Sequence, residues 1–328
     1  MRRRHFIVIL GGALSLRPHP LQAQPTGGLR RIGALFGVGK DAATEANFAA
    51  FREALLGSGW AEGRDILIEG RWGDGTAERA RALAAELISL KPHVILTSGI
   101  RALNEERQQE QSIPVVFVAT TDPVAQGFAQ SFQRPAGQTT GFLLFEFSVL
   151  RKLLDGLREI VPSARRVGLF INPENRSTGL HAEAFESAAR SMGLSPSVIS
   201  VRDPAQIEPA IAAFAAEAKG ALILPPDVFM LVHRELIAQV AGRHGVPLVA
   251  AQREFTDAGG LMSYGVEEKA LFRQAASYVD RILRGMPPGE LPIQAPTTFS
   301  LVINLNTARA LGIAIPPLLL ARADHVVE

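Results

Sequence analysis

The sequence predicts an α/β protein built as two successive sheets of similar layout. Short apolar runs alternate with longer stretches of helical periodicity, the rhythm of strand–helix–strand units around a parallel sheet. The pattern restarts after Gly141, where Arg165-Arg166-Val167-Gly168-Leu169-Phe170 echoes Arg30-Arg31-Ile32-Gly33-Ala34-Leu35. At a similar offset, Lys219-Gly220-Ala221-Leu222-Ile223-Leu224 echoes Lys91-Pro92-His93-Val94-Ile95-Leu96. Either duplication or the shared apolar character of buried parallel strands accounts for the echo. With 328 residues, 47% of them hydrophobic, the chain is long enough for two domains.

The elements follow in order. Arg31–Phe36 reads as the first strand, and Ala43–Leu56 as a helix with Phe48, Phe51 and Leu55 on one face. Ile66–Glu69 is the second strand, and Asp74 or Thr76 caps a helix carrying Leu83, Leu87 and Leu90. Val94–Leu96 and Val115–Val118 are the third and fourth strands, broken by Thr97-Ser98-Gly99 and by Thr120-Thr121-Asp122-Pro123. In the second half, helix Val149–Ile160 leads to strands at 165–170, 219–224 and 246–250. An extended piece at 259–265 and a helix over Lys269–Arg284 follow, and Pro287-Pro288-Gly289 breaks the chain. These late elements are expected to return to the first sheet.

Residues 1–23 read as an export leader. Arg2-Arg3-Arg4 forms a charged start, Phe6–Leu10 opens a short apolar region, and Ala23 offers a small residue for cleavage. The apolar stretch is shorter than the roughly 20 residues of a permanent span. Export is expected by a general secretory or a twin-arginine route, which Arg3-Arg4-His5-Phe6-Ile7 resembles. The leader carries four arginines and no acid, so its removal turns a net charge of +2 into −2. No basic block remains as a phosphate footprint, and a nucleic-acid partner is not expected. The absence of cysteine excludes disulfides, thiolate metal sites, a Cys nucleophile and a lipidated N-terminal cysteine.

Ligands of open α/β sheets bind beyond the carboxyl ends of the strands. The residues there are small and polar: Gly37-Val38-Gly39, Thr97-Ser98-Gly99, Thr120-Thr121-Asp122, Asn172-Pro173-Glu174-Asn175 and Pro225-Pro226-Asp227. Helix-start N–H groups and hydroxyls suit a carboxylate, and Asp122 or Asp227 could hold an ammonium group. Each such residue taken singly also reads as a helix cap. Phe36 and Tyr264 are candidates to contact a ligand through their rings.

Catalytic motifs fail on inspection. Gly37-Val38-Gly39-Lys40-Asp41-Ala42 fits a dinucleotide fingerprint, but the nearest strand-end acid, Glu69, lies 32 residues beyond Gly37 rather than about 20. Gly33–Lys40 misses the phosphate-loop spacing, and Asp41 replaces its Ser/Thr. Neither a GxSxG elbow nor an HExxH pair occurs. An enzyme, a cofactor and a metal are not expected.

Several stretches resemble the extracytoplasmic substrate-binding proteins of ABC transporters, including the tryptophan-binding type. They are Glu62-Gly63-Arg64-Asp65, Arg71-Trp72, Asp122-Pro123-Val124, Arg134-Pro135-Ala136-Gly137, Asn172-Pro173, 258–265, Val302-Ile303-Asn304-Leu305, Leu311-Gly312-Ile313, Pro316-Pro317 and Leu320-Ala321-Arg322-Ala323-Asp324. The resemblance implies a type I periplasmic-binding fold, two Rossmann-like lobes with parallel-rich sheets joined by a multi-strand hinge. One lobe would hold 30–143 and 253–290, the other 144–252 and 291–328. The crossings would fall near Phe142–Glu146, Ala251–Phe255 and Leu291–Phe299. By position, Ser98, Thr120 and Asp122 would face the ligand from the first lobe, and the strand-end reading adds Phe36, Gly37 and Gly99. Asn172, Asn175 and Asp227 would face it from the second, with Gln252 and Tyr264 near the hinge. The resemblance implies a periplasmic monomer that captures an amino acid or aromatic carboxylate and docks on a membrane permease with a separate ATPase. The sensing core of a transcription regulator and an exported α/β enzyme are the alternatives.

Overall fold

Buried parallel strands, apolar on both faces, form the centre of each half. The computed structural model describes residues 28–120, 122–124, 126–145, 147–175, 177–217 and 220–328. The export leader at 1–23 and the readings that rest on Thr121, Glu146 and Lys219 lie outside the described residues. In the first half, β1 (Arg30–Phe36), β2 (Ile66–Trp72), β3 (Val94–Ser98), β4 (Val115–Thr120) and β5 (Thr139–Leu143) form a parallel sheet in the order β2-β1-β3-β4-β5. The connecting helices are α1 (Ala42–Gly57), α2 (Ala77–Ser89) and α3 (Ile100–Gln109). Asp41 starts α1 with a reciprocal cap to Thr44, and Thr76 caps α2, as its side chain accepts from the Arg79 N–H.

The second half runs α4 (Ser148–Ile160), β6 (Arg166–Ile171), α5 (Thr178–Ser191), β7 (Ser195–Ser200), α6 (Ile207–Ala216), β8 (Gly220–Leu224), α7 (Val228–Val232), α8 (Arg234–Arg243), β9 (Leu248–Ala250), α9 (Arg253–Asp257) and β10 (Met262–Val266). Then come α10 (Glu268–Leu283), β11 (Phe299–Asn304), α11 (Leu305–Ala310), α12 (Pro317–Ala321) and β12 (His325–Val327). Its sheet has the order β12-β11-β10-β9-β8-β6-β7, parallel except where β11 runs against β10. Among the described residues no helix is long and apolar enough to cross a membrane.

The two-lobed α/β architecture agrees with the expectation, but its partition differs. Of the stretch 253–290, α10 and the turn Pro288–Glu290 return to the first sheet, α10 packing on α1, β3 and β4 and the turn on β5. β10 and its neighbour α9 stay with the second sheet, because Met262–Val266 finds β9 on one side and β11 on the other. The middle crossing therefore falls at Val266–Glu268, not at Ala251–Phe255. The first connects β5 to α4, and the last follows Gln294, which is still bonded to the β5 edge through Gly141 and Leu143.

One apolar cluster threads both lobes. It joins Ile32, Val94 and Val116 of the first sheet to Val167, Ile223 and Met262 of the second through Phe142, Leu144 and Phe145. His181 of α5 is buried in this seam, its ring 5.2 Å from Phe145 and 5.4 Å from Phe147, and its Nε2 has no hydrogen-bond partner among the described residues. Burial lowers its pKa to about 4. A depressed histidine stabilises the fold fully above its unfolded pKa of about 6.5 and loses that contribution as pH falls towards 4. Urea unfolding is expected to show a loss of roughly 2–3 kcal/mol between pH 7 and 4.5 that His181→Leu removes. Equal pH profiles of the two proteins would contradict that role.

Candidate ligand site between the lobes

The strand ends of both sheets open onto one cavity of about 350 Å³, within the size range of small-ligand pockets. From the first lobe come Phe36, which ends β1, Ser98 and Gly99, which join β3 to α3, and Asn47 of α1. From the second come Asn175, Asp227, Arg234, Gln252 and Glu254; α10 adds Glu268 and Phe272. Phe36 is clamped between Trp72 and Phe272, stacked on each at 5.2 and 5.9 Å between ring centres.

The lobes touch across this cavity. Arg234 Nη2 lies 3.1 Å from Asp41 Oδ2, so the residue that caps α1 also reaches the other lobe. Gly75 is packed so closely that a Cβ there would stand 2.8 Å from Val232 Cγ2. At Gly99 the same test gives 3.7 Å to Val228 Cγ2, so the starts of α3 and α7 are neighbours. Gly99 has a φ of 88°, a conformation that favours glycine, and gives α3 no side-chain cap. The first N–H groups of α3 thus have no intrahelical acceptor.

Opposite them, Asp227 caps α7: Oδ1 accepts from the Met230 N–H at 3.0 Å and Oδ2 from Asn175 Nδ2 at 2.8 Å. Burial raises its pKa despite these bonds. Glu268 Oε2 accepts from Asn47 Nδ2 at 3.0 Å and Oε1 from Gln252 Nε2 at 3.4 Å. Glu268 is half-buried and borders the cavity. Burial first and the nearby Glu254 carboxylate second push its pKa up to about 8, and burial also raises that of Glu254.

A family model described as ABC transporter substrate binding protein matches residues 34–327. The chain belongs to that family. Among characterised relatives of this substrate-binding protein is the tyrosine-binding protein of Clostridioides difficile, 20% identical over 261 residues, which are 80% of this chain and 75% of the relative. Two solved structures share the fold with a TM-score of 0.84 each. One is a conserved domain protein from Vibrio cholerae, 23% identical over 90% of this chain and 99% of its own. The other is a domain from Streptococcus pneumoniae in complex with L-Trp, 18% identical over 91% of this chain and 100% of its own.

Of the residues expected to face a ligand in this binding protein, Phe36, Ser98, Gly99, Asn175, Asp227 and Gln252 line the cavity between the lobes. Asn172 borders an adjoining space of about 100 Å³ shared with Asn175 and Asp227. Its Oδ1 accepts from the Glu174 N–H, which shapes that loop. Gly37, Thr120, Asp122 and Tyr264 line neither. The Gly37 N–H donates to the Ser98 carbonyl, tying the ends of β1 and β3. A register shift in β4 between Phe117 and Thr120, with Ala119 at a φ of 58°, brings Ala119 to the cavity and leaves Thr120 buried away from it. Tyr264 stacks on Phe299 of the neighbouring strand at 5.7 Å. Sequence reasoning missed Asn47, Glu254 and Glu268. The one available signal was the pair Glu267-Glu268 at the start of a helix following a strand end.

Proposed function

We propose that this substrate-binding protein works outside the cytoplasm and captures an amino acid between its two lobes. The ligand then passes chemically unchanged to a membrane permease driven by a separate ATPase. The reading rests on one observation: the uncapped start of α3 and the buried Asp227 carboxylate at the start of α7 come from different lobes and border the same cavity. An uncapped helix start suits a carboxylate, and a buried aspartate suits an ammonium group. Phe36, Leu144, Phe272 and Leu231 supply apolar walls for a side chain. The tyrosine-binding relative and the L-Trp complex support an amino-acid ligand. The ligand favours closure only as far as it prefers the closed form to the open one.

Mass spectrometry of co-purified small molecules, followed by thermal-shift screening of amino acids, tests the reading. A ligand that binds only the folded form raises the melting temperature with its concentration. Asp227→Asn keeps a side-chain oxygen to cap α7 and removes the charge. Titration calorimetry is expected to show at least a tenfold loss of affinity for the responding amino acid. Unchanged affinity would remove Asp227 from the proposed role.

A further inference from the structure

At the end of the cavity formed by α1, α9 and α10, the available groups are acceptors. Glu254 and Glu268 both border it, and no cationic side chain lies within ion-pair distance of either among the described residues. The lining includes five acids, Asp41, Asp74, Asp227, Glu254 and Glu268, against two bases, Lys40 and Arg234. Both bases have partners: Lys40 pairs with Glu45 at 2.8 Å and Arg234 with Asp41 at 3.1 Å.

A second and independent feature is Gln252. It is only 8% exposed and borders the cavity, its Nε2 is turned to Glu268, and its Oε1 has no hydrogen-bond partner among the described residues. A buried carbonyl oxygen without a donor is costly and uncommon in folded proteins. A positively charged donor placed between the two carboxylates would also satisfy this oxygen. The apolar walls from Phe36, Phe272 and Leu231 suit an alkyl chain leading to that end.

We infer that the ligand is basic, an amino acid whose side chain ends in a protonated amine or guanidinium seated between Glu254, Glu268 and the Gln252 carbonyl oxygen. This rests on the amino-acid reading above and extends it to the side chain. Without ligand, Glu268 keeps a proton through the neutral range, because burial and Glu254 raise its pKa to about 8, with Asp41 adding to the repulsion. Arg234 acts in the other direction on Glu254. A cationic side chain displaces the Glu268 proton to solvent, so binding tightens as pH rises towards 8.

Titration calorimetry with L-lysine, L-arginine, L-norleucine and L-tryptophan tests this. Norleucine lacks only the terminal ammonium of lysine. Lysine or arginine is expected to bind at least ~30-fold more tightly than norleucine. Glu268→Gln mimics the protonated acid and retains an oxygen for Asn47, so the unliganded melting temperature at pH 7 is expected to hold. In that variant the preference for lysine or arginine over norleucine should shrink to within about threefold. Between pH 6 and 8 the affinity of the wild-type protein for the basic ligand should rise at least roughly tenfold, and that of the variant should rise less. Equal binding of lysine and norleucine, or a preference that survives Glu268→Gln, overturns the inference. Tryptophan or norleucine binding in both proteins without a lysine or arginine response overturns it and leaves the amino-acid reading standing. No response to any amino acid overturns both.

Discussion

Gly265→Ala is expected to lower stability by about 3 kcal/mol or more, near the upper end of overpacking costs. A Cβ at this position would stand 1.7 Å from the Ala251 carbonyl oxygen and 2.8 Å from its carbon. The obstacle is backbone, so no rotamer change relieves it. β10 must instead part from the segment that follows β9. That segment carries Gln252, and three residues after Gly265 the chain reaches Glu268. The substitution therefore disturbs the acidic end of the cavity as well as the sheet. Urea denaturation should show the stability loss, with weakened binding of any ligand that stabilises the wild-type protein. A variant with wild-type stability would mean that β10 and the Ala251 segment lie farther apart.

Arg107→Ala is expected to cost about 3–5 kcal/mol at neutral pH, the penalty for leaving a buried carboxylate unpaired. Glu106 is fully buried, and Arg107 forks onto it with Nε at 2.7 Å from Oε2 and Nη2 at 2.9 Å from Oε1. The same guanidinium donates to the Ile113 carbonyl, fastening the end of α3 to the approach to β4. Burial raises the Glu106 pKa, and the pairing with Arg107 holds it down. Without the arginine the carboxyl is pushed further up, so the variant regains stability as the pH falls and the acid takes a proton. Denaturation at pH 5 and pH 8 should show the smaller deficit at pH 5, and Glu106→Gln in the same chain should recover part of the loss. A deficit of similar size at both pH values would show that lost packing, not the unpaired charge, dominates.

The strands legible in the sequence were those buried on both faces. β1, β3, β4, β6 and β8 read as continuous apolar runs because nothing in a parallel sheet's interior faces water. β5 and β7 carried weaker signals: Thr139-Thr140-Gly141 and Ser195-Pro196-Ser197 resemble loops, and only their partners make them strands. The sheet to which β10 belongs was not legible, since membership depends on which edges are vacant rather than on Met262–Val266 itself. The candidate site divided in the same way. The rule that ligands sit at strand ends led to Phe36, Ser98, Gly99 and Asp227. It could not say which way side chains turn, and the irregularity at Ala119 reversed the expectation for Thr120. Asn47 and Glu268 lie on helices, where a polar residue in an amphipathic pattern reads as a solvent-facing one.

The apolar seam through the crossings bears on how the molecule could be divided or bent. The halves share one oily interior: Phe142, Leu144 and Phe145 belong to a cluster with side chains from both. A chain severed at 144–147, or either sheet produced alone, would leave that strip wet and prone to clumping. Opening to admit a guest must accordingly pivot along the strip and keep it covered, which favours a narrow swing over a wholesale parting of the halves.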